Sequence, residues 1–313
     1  MGQRNLTVLT EFILIGVTRN SELHFVLFGI FLIIYLITVF ANMGLIFLTK
    51  ADSRLNTPMY FFIRHLAFID LGNCTVIYPK MLVNLVDHKN SISYYECVIQ
   101  MAFYILFIIS ELFILSAMAY DRYVAICNPL LYNVIMSPRL CHTLVGIPYL
   151  YSTFQSLMIT SKIFTSTFCD SNVISHFYCD NAPILPLLCS NKREVELLMI
   201  ATSAINLMSS LLGLLGSYIF ILMSLFRMNS AEGRRKAFST CGSHLTVVTV
   251  FYGTLLFMYL QPKSAHSFET DTMVSVFYTL IIPMFNPFIY SLRNREVKNA
   301  FNRLFKNQCK LCI

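Results

Sequence analysis

The chain has 313 residues, of which 56% are hydrophobic and only 12% charged, with a mean hydropathy of +0.64. A water-soluble domain of this length needs far fewer apolar side chains, so composition excludes an ordinary soluble protein and points to the membrane. The net charge of +7 lies in the joints between apolar runs, where it marks orientation and implies no nucleic-acid partner.

A bilayer-crossing helix needs about 20 mostly apolar residues. Seven such runs follow in chain order, near 25–49, 58–86, 98–120, 140–161, 195–226, 237–260 and 272–292. They predict an all-α, seven-transmembrane helix bundle over 25–292 in a single domain spanning 1–313. Residues 1–24 read as a polar outer segment without the basic stretch and short apolar core of a cleavable signal peptide, so the first helix acts as its own insertion signal. Asn5-Leu6-Thr7 is a glycosylation sequon there. A second match, Asn73-Cys74-Thr75, falls inside the second helix and out of reach.

Charges in the joints set the orientation. One face carries 15 of the 23 basic residues against four acids, Asp52, Asp121, Glu232 and Glu296; the other carries eight bases against ten acids. The positive-inside rule places the basic face in the cytoplasm, with the N-terminus outside and the C-terminus within. Of the ten cysteines, Cys97, Cys169, Cys179 and Cys189 fall on the outer, oxidising side, where four thiols allow three pairings. Cys97 opens the third helix and the other three share one long joint, so at least one bridge is expected to tie that joint to the helix. Cys309 and Cys312 match no prenylation pattern, and palmitoylation there is only weakly signalled.

Two acids lie within the apolar runs. Asp70 is 12 residues past Pro58 and Glu111 is 11 before Arg122, which puts both roughly 16–18 Å from the cytoplasmic boundary. Carboxyls at that depth are either protonated and hydrogen-bonded or share a cation. At the end of the third run stands Asp121-Arg122-Tyr123. A lone arginine there reads as an interfacial anchor that snorkels to water or pairs with Asp121. On the seventh run Pro287 removes a backbone donor, so the helix bends near Asn286, whose side chain is expected to satisfy freed backbone groups. Beyond it, residues 293–313 form a tail in which Val297, Ala300, Phe301, Leu304 and Phe305 recur at helical spacing between Lys298, Arg303 and Lys306, an amphipathic helix suited to lying on the inner leaflet.

Longer strings decide the company these residues keep: Pro58-Met59-Tyr60-Phe61-Phe62, MAYDRYVAICNPLLY at 118–132, Ser217-Tyr218, KAFSTCGSHL at 236–245 and PMFNPFIYSLRN at 283–294. In this order the chain resembles the rhodopsin-like (class A) G-protein-coupled receptors, and within them the olfactory receptors of the class typical of land vertebrates (class II). Arg64, His65 and Phe285 depart from the usual family residues and touch subtype more than assignment. The resemblance implies disulfides Cys97–Cys179 and Cys169–Cys189. It further implies a sodium ion held by Asp70 and Glu111, and a stimulatory heterotrimeric G protein as partner at the plasma membrane. Its cytoplasmic switch would consist of Asp121, Arg122, Tyr123, Tyr218, His244, Asn286, Pro287 and Tyr290, although His244 reads equally well as a satisfied core histidine.

Phe251, Tyr252, Leu255, Leu256 and Tyr259 lie above the midplane of helix six, four of them on one face. Tyr104, Ile105, Ile108 and Ile109 on helix three, Thr202, Ile205 and Asn206 on helix five, and Tyr278 and Thr279 on helix seven complete an apolar wall with a few hydroxyls and one amide. Such stripes are more often plain helix packing, but this mixture is the composition of a small-molecule site. It predicts a neutral, mostly apolar odorant oriented by a hydroxyl of Tyr252, Tyr259 or Thr202. No nucleophile–base motif marks an enzyme, and no internal repeat marks a transporter. Helix seven lacks the lysine a light-sensing opsin needs, and the residues near Tyr104 lack the acid an amine receptor would want. The remaining alternative is a receptor of the same fold for a non-odorant small molecule.

Overall fold

The computed structural model describes residues 10–303, apart from 19, 88–89, 170, 228–229, 261–267 and 293–295; at 236–237, 239–240, 258–260 and 292 it describes backbone alone. Seven long helices run in order: α1 His24–Ala51, α2 Pro58–Val86, α3 Tyr94–Cys127, α4 Pro138–Phe164, α5 Lys192–Arg227, α6 Ala231–Leu260 and α7, which runs from Phe268 to Leu292 in three pieces. Residues 296–303 form a further helix, α8. Apart from α2, which matches its run, each long helix exceeds its apolar run by a few residues, because the helix continues beyond the hydrocarbon into polar surroundings. α5, with 36 residues, is about 54 Å long at 1.5 Å per residue and projects well past a core of about 30 Å.

Local chemistry fixes the ends. Pro58 starts α2 at a position where no backbone donor is needed. A capping box starts α3: Ser93 Oγ accepts from the Glu96 N–H at 3.2 Å, and Glu96 Oε2 accepts from the Ser93 N–H at 3.0 Å. Among the described residues five helices, including the whole of Phe268–Ser291, are apolar and long enough to cross a membrane; α4 and α6 are long enough but more polar. In α4 the side chains of Ser152, Gln155 and Ser156 are buried and bonded. Ser152 Oγ meets Ser110 Oγ at 2.7 Å, and Ser156 Oγ donates to the Ala102 carbonyl.

α3 is the axial helix, packed against α2, α4, α5 and α6, while α1 lies on α2 and the second half of α7. At Gly72 of α2 a Cβ would run into the Phe107 ring of α3, so the closeness of these two helices needs glycine there. α7 is interrupted twice. A π-turn over Phe277–Ile281 precedes Pro283, and Pro287 lies inside the last piece. Pro287 cannot bond the Pro283 carbonyl four residues back, and Asn42 of α1 supplies the missing donor at 3.1 Å. Asn286 was expected to satisfy freed backbone groups but instead donates to Asp70 of α2, at 3.0 and 3.3 Å; Asn42 approaches the freed carbonyl from a neighbouring helix, which leaves Asn286 free to turn inward.

The segment read as a polar tail before residue 25 holds a strand. β1, Glu11–Leu14, is the central strand of a three-stranded sheet, antiparallel to β2 (Ser91–Ser93) with Phe12 opposite Ile92, and parallel to β3 (Val173–Ile174) with Leu14 opposite Ile174. Alternation explains it: Phe12 and Leu14 are buried, while Glu11 and Ile13 face out. Phe12 sits among the rings of Tyr94, Phe164 and Phe168, so the sheet lies on the end of the bundle that carries Cys97. At the opposite end Asp52, just past α1, accepts two bonds from Arg303 of α8, 2.6 and 3.0 Å long. That guanidinium, together with the Arg54 N–H, holds the Asp52 carboxyl below its ordinary range.

Candidate functional site

Two disulfides pin the joint between α4 and α5 to the bundle: Cys97–Cys179, with Cα atoms 5.5 Å apart, and Cys169–Cys189, at 5.8 Å. These are the pairings the sequence resemblance implied. The first bridge pulls His176, Phe177 and Tyr178 inward until all three are buried. Gln100 of α3 locks the position, since its Oε1 accepts from the Cys179 N–H at 2.8 Å while its Nε2 donates to the Val76 carbonyl of α2 at 3.0 Å. His176 Nε2 meets Ser275 Oγ at 3.0 Å.

Beneath this lid three tyrosine hydroxyls converge. Tyr278 of α7 lies 3.0 Å from Tyr104 of α3 and 2.8 Å from Tyr178 of the lid. His176, Tyr178 and Ser275 were not singled out from sequence. The one usable signal was adjacency to Cys179, because a residue next to a cysteine bridged to a helix end must be drawn towards that helix.

The wall residues fall into distinct places. Tyr104, Ile105, Ile109, Phe251, Tyr252, Tyr278 and Thr279 are buried, and Ile108 and Leu255 are half-buried. Thr202 is buried, but its hydroxyl donates to its own helix at the Leu198 carbonyl, 2.7 Å away; Thr279 does likewise to Ser275. The Tyr252 hydroxyl reaches the Leu112 carbonyl of α3 at 3.4 Å. Asn206, expected in the pocket wall, closes a ring with α4: it donates to Gln155 Oε1 at 2.7 Å and accepts from Tyr151 at 2.9 Å. Ile205 is 58% exposed and faces outward, a correction to its place in the wall. The inward line of α5 runs through Thr202, Asn206, Ser210 and Leu214, and Ile205 lies one residue, about 100°, off that line. The Tyr259 side chain lies outside the described atoms, as do Asn5, Cys309 and Cys312.

At the other end, Arg122 is buried and its Nε has no hydrogen-bond partner among the described residues. Pairing with Asp121 was one of the alternatives the sequence left open, and no ion pair joins the two among the described residues; Asp121 Oδ1 accepts from the Tyr132 hydroxyl at 2.8 Å, in the joint after α3. Tyr123 is half-buried with its ring against Phe220 of α5. Tyr218 of α5 and His244 of α6 are 2.6 Å apart at Nδ1, and His244 Nε2 lies 3.1 Å from the Leu115 carbonyl of α3. A carbonyl only accepts, so Nε2 carries the proton, Nδ1 is the acceptor and the tyrosine donates. This one imidazole therefore clasps three helices. Tyr290 is buried, and its hydroxyl has no partner among the described residues.

Between the two ends, Asp70 and Glu111 are buried and close enough to interact electrostatically. Among the described residues Glu111 Oε1 and Asn73 Oδ1 are buried without partners. Two carboxyls and an amide oxygen, two of these atoms unsatisfied, fit a small hard cation by donor chemistry.

The olfactory receptor family model matches residues 31–308. The chain belongs to the olfactory receptor family. It is 71% identical to human olfactory receptor 8K5 over 98% of this chain and all of that one, and 64% identical to human olfactory receptor 8K3 over the full length of both. The crystal structure of squid rhodopsin superimposes with a TM-score of 0.71 at 18% identity, over 91% of this chain and 81% of that one, which establishes the seven-helix fold. As an olfactory receptor the protein is a multi-pass plasma-membrane signalling receptor and not an enzyme; an odorant and a G protein are its partners in general terms.

Proposed function

We propose that this olfactory receptor binds a small, neutral, mostly apolar odorant beneath the lid and activates a stimulatory G protein that raises cAMP. Its N-terminus is outside the cell and α8 lies on the inner leaflet. The observation that carries the reading is the clasp of Tyr218, His244 and Leu115, which ties α6 to α3 and α5 beside the buried Arg122. A ligand packed against Tyr252 and Leu255 higher on α6 biases that helix, and its lower end can swing out only if the clasp opens. Arg122, Tyr290 and the freed Tyr218 then line a cleft for the G protein, and the bend at Asn286-Pro287 lets α7 follow. Asp70 and Glu111, with Asn73, would hold a sodium ion, which supplies positive charge between α2 and α3 that steadies the closed packing.

The ligand's polar atom is best served by the hydroxyl cluster of Tyr104, Tyr178 and Tyr278. Thr202 already donates within its own helix and Tyr252 is engaged with Leu112. The test is ligand-evoked cAMP in transfected cells across a chemically diverse odorant panel. Tyr104→Phe and Tyr178→Phe are expected to reorder the agonists while surface delivery holds. An unchanged rank order in both variants, or a best agonist with a permanent charge, overturns this ligand site; agonism without any rise in cAMP overturns the G-protein assignment.

A further inference from the structure

A cavity of about 470 Å³ lies at the junction of α1, α7 and α8. Its walls include Gly44 of α1, Pro287 and Phe288 of α7, and Val297 and Phe301 of α8. At the mouth, Phe40 of α1 is 70% exposed and Phe301 is 54% exposed, so the groove opens onto the hydrocarbon that surrounds the bundle. That volume falls within the range of small-molecule sites, about 300–1,000 Å³.

The rim adds a charge. Lys298 and Asn302, one turn apart on α8, complete the lining. Nearby Arg303 is engaged by Asp52, whereas no ion pair holds Lys298 among the described residues. An apolar slot ending at an unpaired ammonium matches one kind of molecule abundant at that depth, a lipid with an acyl chain and an anionic headgroup.

We propose that this groove is a binding site for an anionic phospholipid of the inner leaflet, with an acyl chain against Gly44, Pro287 and Phe288 and its phosphate on Lys298 and Asn302. The leaflet rests on the orientation proposed above; the site itself does not. Because Pro287 and Phe288 form one wall, the bound chain braces the bend of α7 whose carbonyl Asn42 satisfies from α1.

The test uses the purified full-length receptor in nanodiscs of mixed phosphatidylcholine and phosphatidylserine, extracted and weighed by native mass spectrometry to count retained lipids. Symmetric nanodiscs present both lipids to both faces, so the count does not depend on the orientation. The wild type is expected to retain one phosphatidylserine preferentially. Lys298→Glu is expected to lower that retention by about fivefold or more, the equivalent of the roughly 1 kcal/mol that one basic side chain contributes at an anionic surface. Gly44→Leu should abolish retention of both lipids, since no atom stands within 4 Å of a Cβ built there and the larger side chain would occupy the slot. Undiminished phosphatidylserine on Lys298→Glu, or equal retention of phosphatidylcholine or added cholesterol by wild type and variant, overturns the proposal.

Discussion

Replacing His244 by Phe should raise ligand-free signalling. The phenyl ring occupies much the same space but removes both bonds of the clasp, to Tyr218 on α5 and to Leu115 on α3, 2.6 and 3.1 Å long. Interhelical hydrogen bonds in membrane proteins contribute about 0.6 kcal/mol each on average and up to about 1.7 kcal/mol. Burial of the clasp favours a value above that average, because the Tyr218 hydroxyl and the Leu115 carbonyl would be left without partners. Two bonds at the average give about 1.2 kcal/mol, an eightfold shift towards the open form, and about 2 kcal/mol gives roughly thirtyfold. If the open form is of the order of 1% in the resting receptor, basal cAMP per receptor at the surface rises by about eightfold to twentyfold, the upper figure limited by saturation. Tyr218→Phe, which keeps the Leu115 bond, should give a smaller rise, and the double variant should add little to His244→Phe. Basal signalling that stays flat in His244→Phe while agonists still work would falsify the clasp; loss of both basal and agonist signalling would place His244 in the open state's contacts and equally refute the argument.

Arg122→Ala is expected to abolish cAMP signalling while surface delivery, read with an antibody to an N-terminal tag, persists; unaltered signalling leaves Arg122 as an interfacial anchor and nothing more. Cys97→Ser and Cys179→Ser should each block delivery, because either change frees the lid from α3 and unseats the Gln100 lock. Peptide mapping of the oxidised receptor should recover Cys97–Cys179 and Cys169–Cys189, and recovery of another pairing defeats this account of the lid.

The helices were legible because a bilayer demands long apolar runs, and Pro58 even marked a boundary. α4 was legible for the same reason, although its buried serines and Gln155 lower its hydropathy. β1 was not, since four residues of alternating character carry little signal until β2 and β3 are beside them. Asp70, Glu111 and Arg122 announced themselves by being charged in apolar surroundings. Their partners did not: that Tyr132 would take Asp121, or that Asn42 would reach the Pro283 carbonyl, depends on how neighbouring helices approach, and no periodicity encodes it. Ile205 was misplaced for a related reason. A stretch of apolar residues on a membrane helix cannot distinguish the face towards lipid from the face towards the bundle, and only the small polar residues Thr202, Asn206 and Ser210 mark the inner line.

The lid makes a prediction about pH that neither of its titrating groups makes alone. Burial pushes the Asp180 carboxyl up to about 6, against weaker pulls from the Asn181 N–H and the Tyr178 hydroxyl. Burial also pushes the His176 imidazole down to about 3, with Nδ1 unpartnered among the described residues and Nε2 on Ser275. An acid raised in the folded state holds a proton that the unfolded chain has released, so between about 4 and 6 Asp180 makes the fold more stable as pH falls. A base lowered in the folded state lacks a proton that the unfolded chain holds, so from about 6.5 down to about 3 His176 makes the fold less stable as pH falls. Each slope approaches about 1.4 kcal/mol per pH unit, and within about pH 4–6 the two oppose each other with one proton apiece. Melting temperatures of the purified receptor from pH 4.5 to 7.5 should therefore separate the variants in opposite directions from the wild type. Asp180→Asn leaves His176 uncompensated and should lose stability steeply as the pH is lowered through 6. His176→Gln leaves Asp180 uncompensated and should gain stability over the same range. Parallel curves for the three proteins would mean that neither side chain is enclosed as the lid requires, and that the loop opens to water at rest.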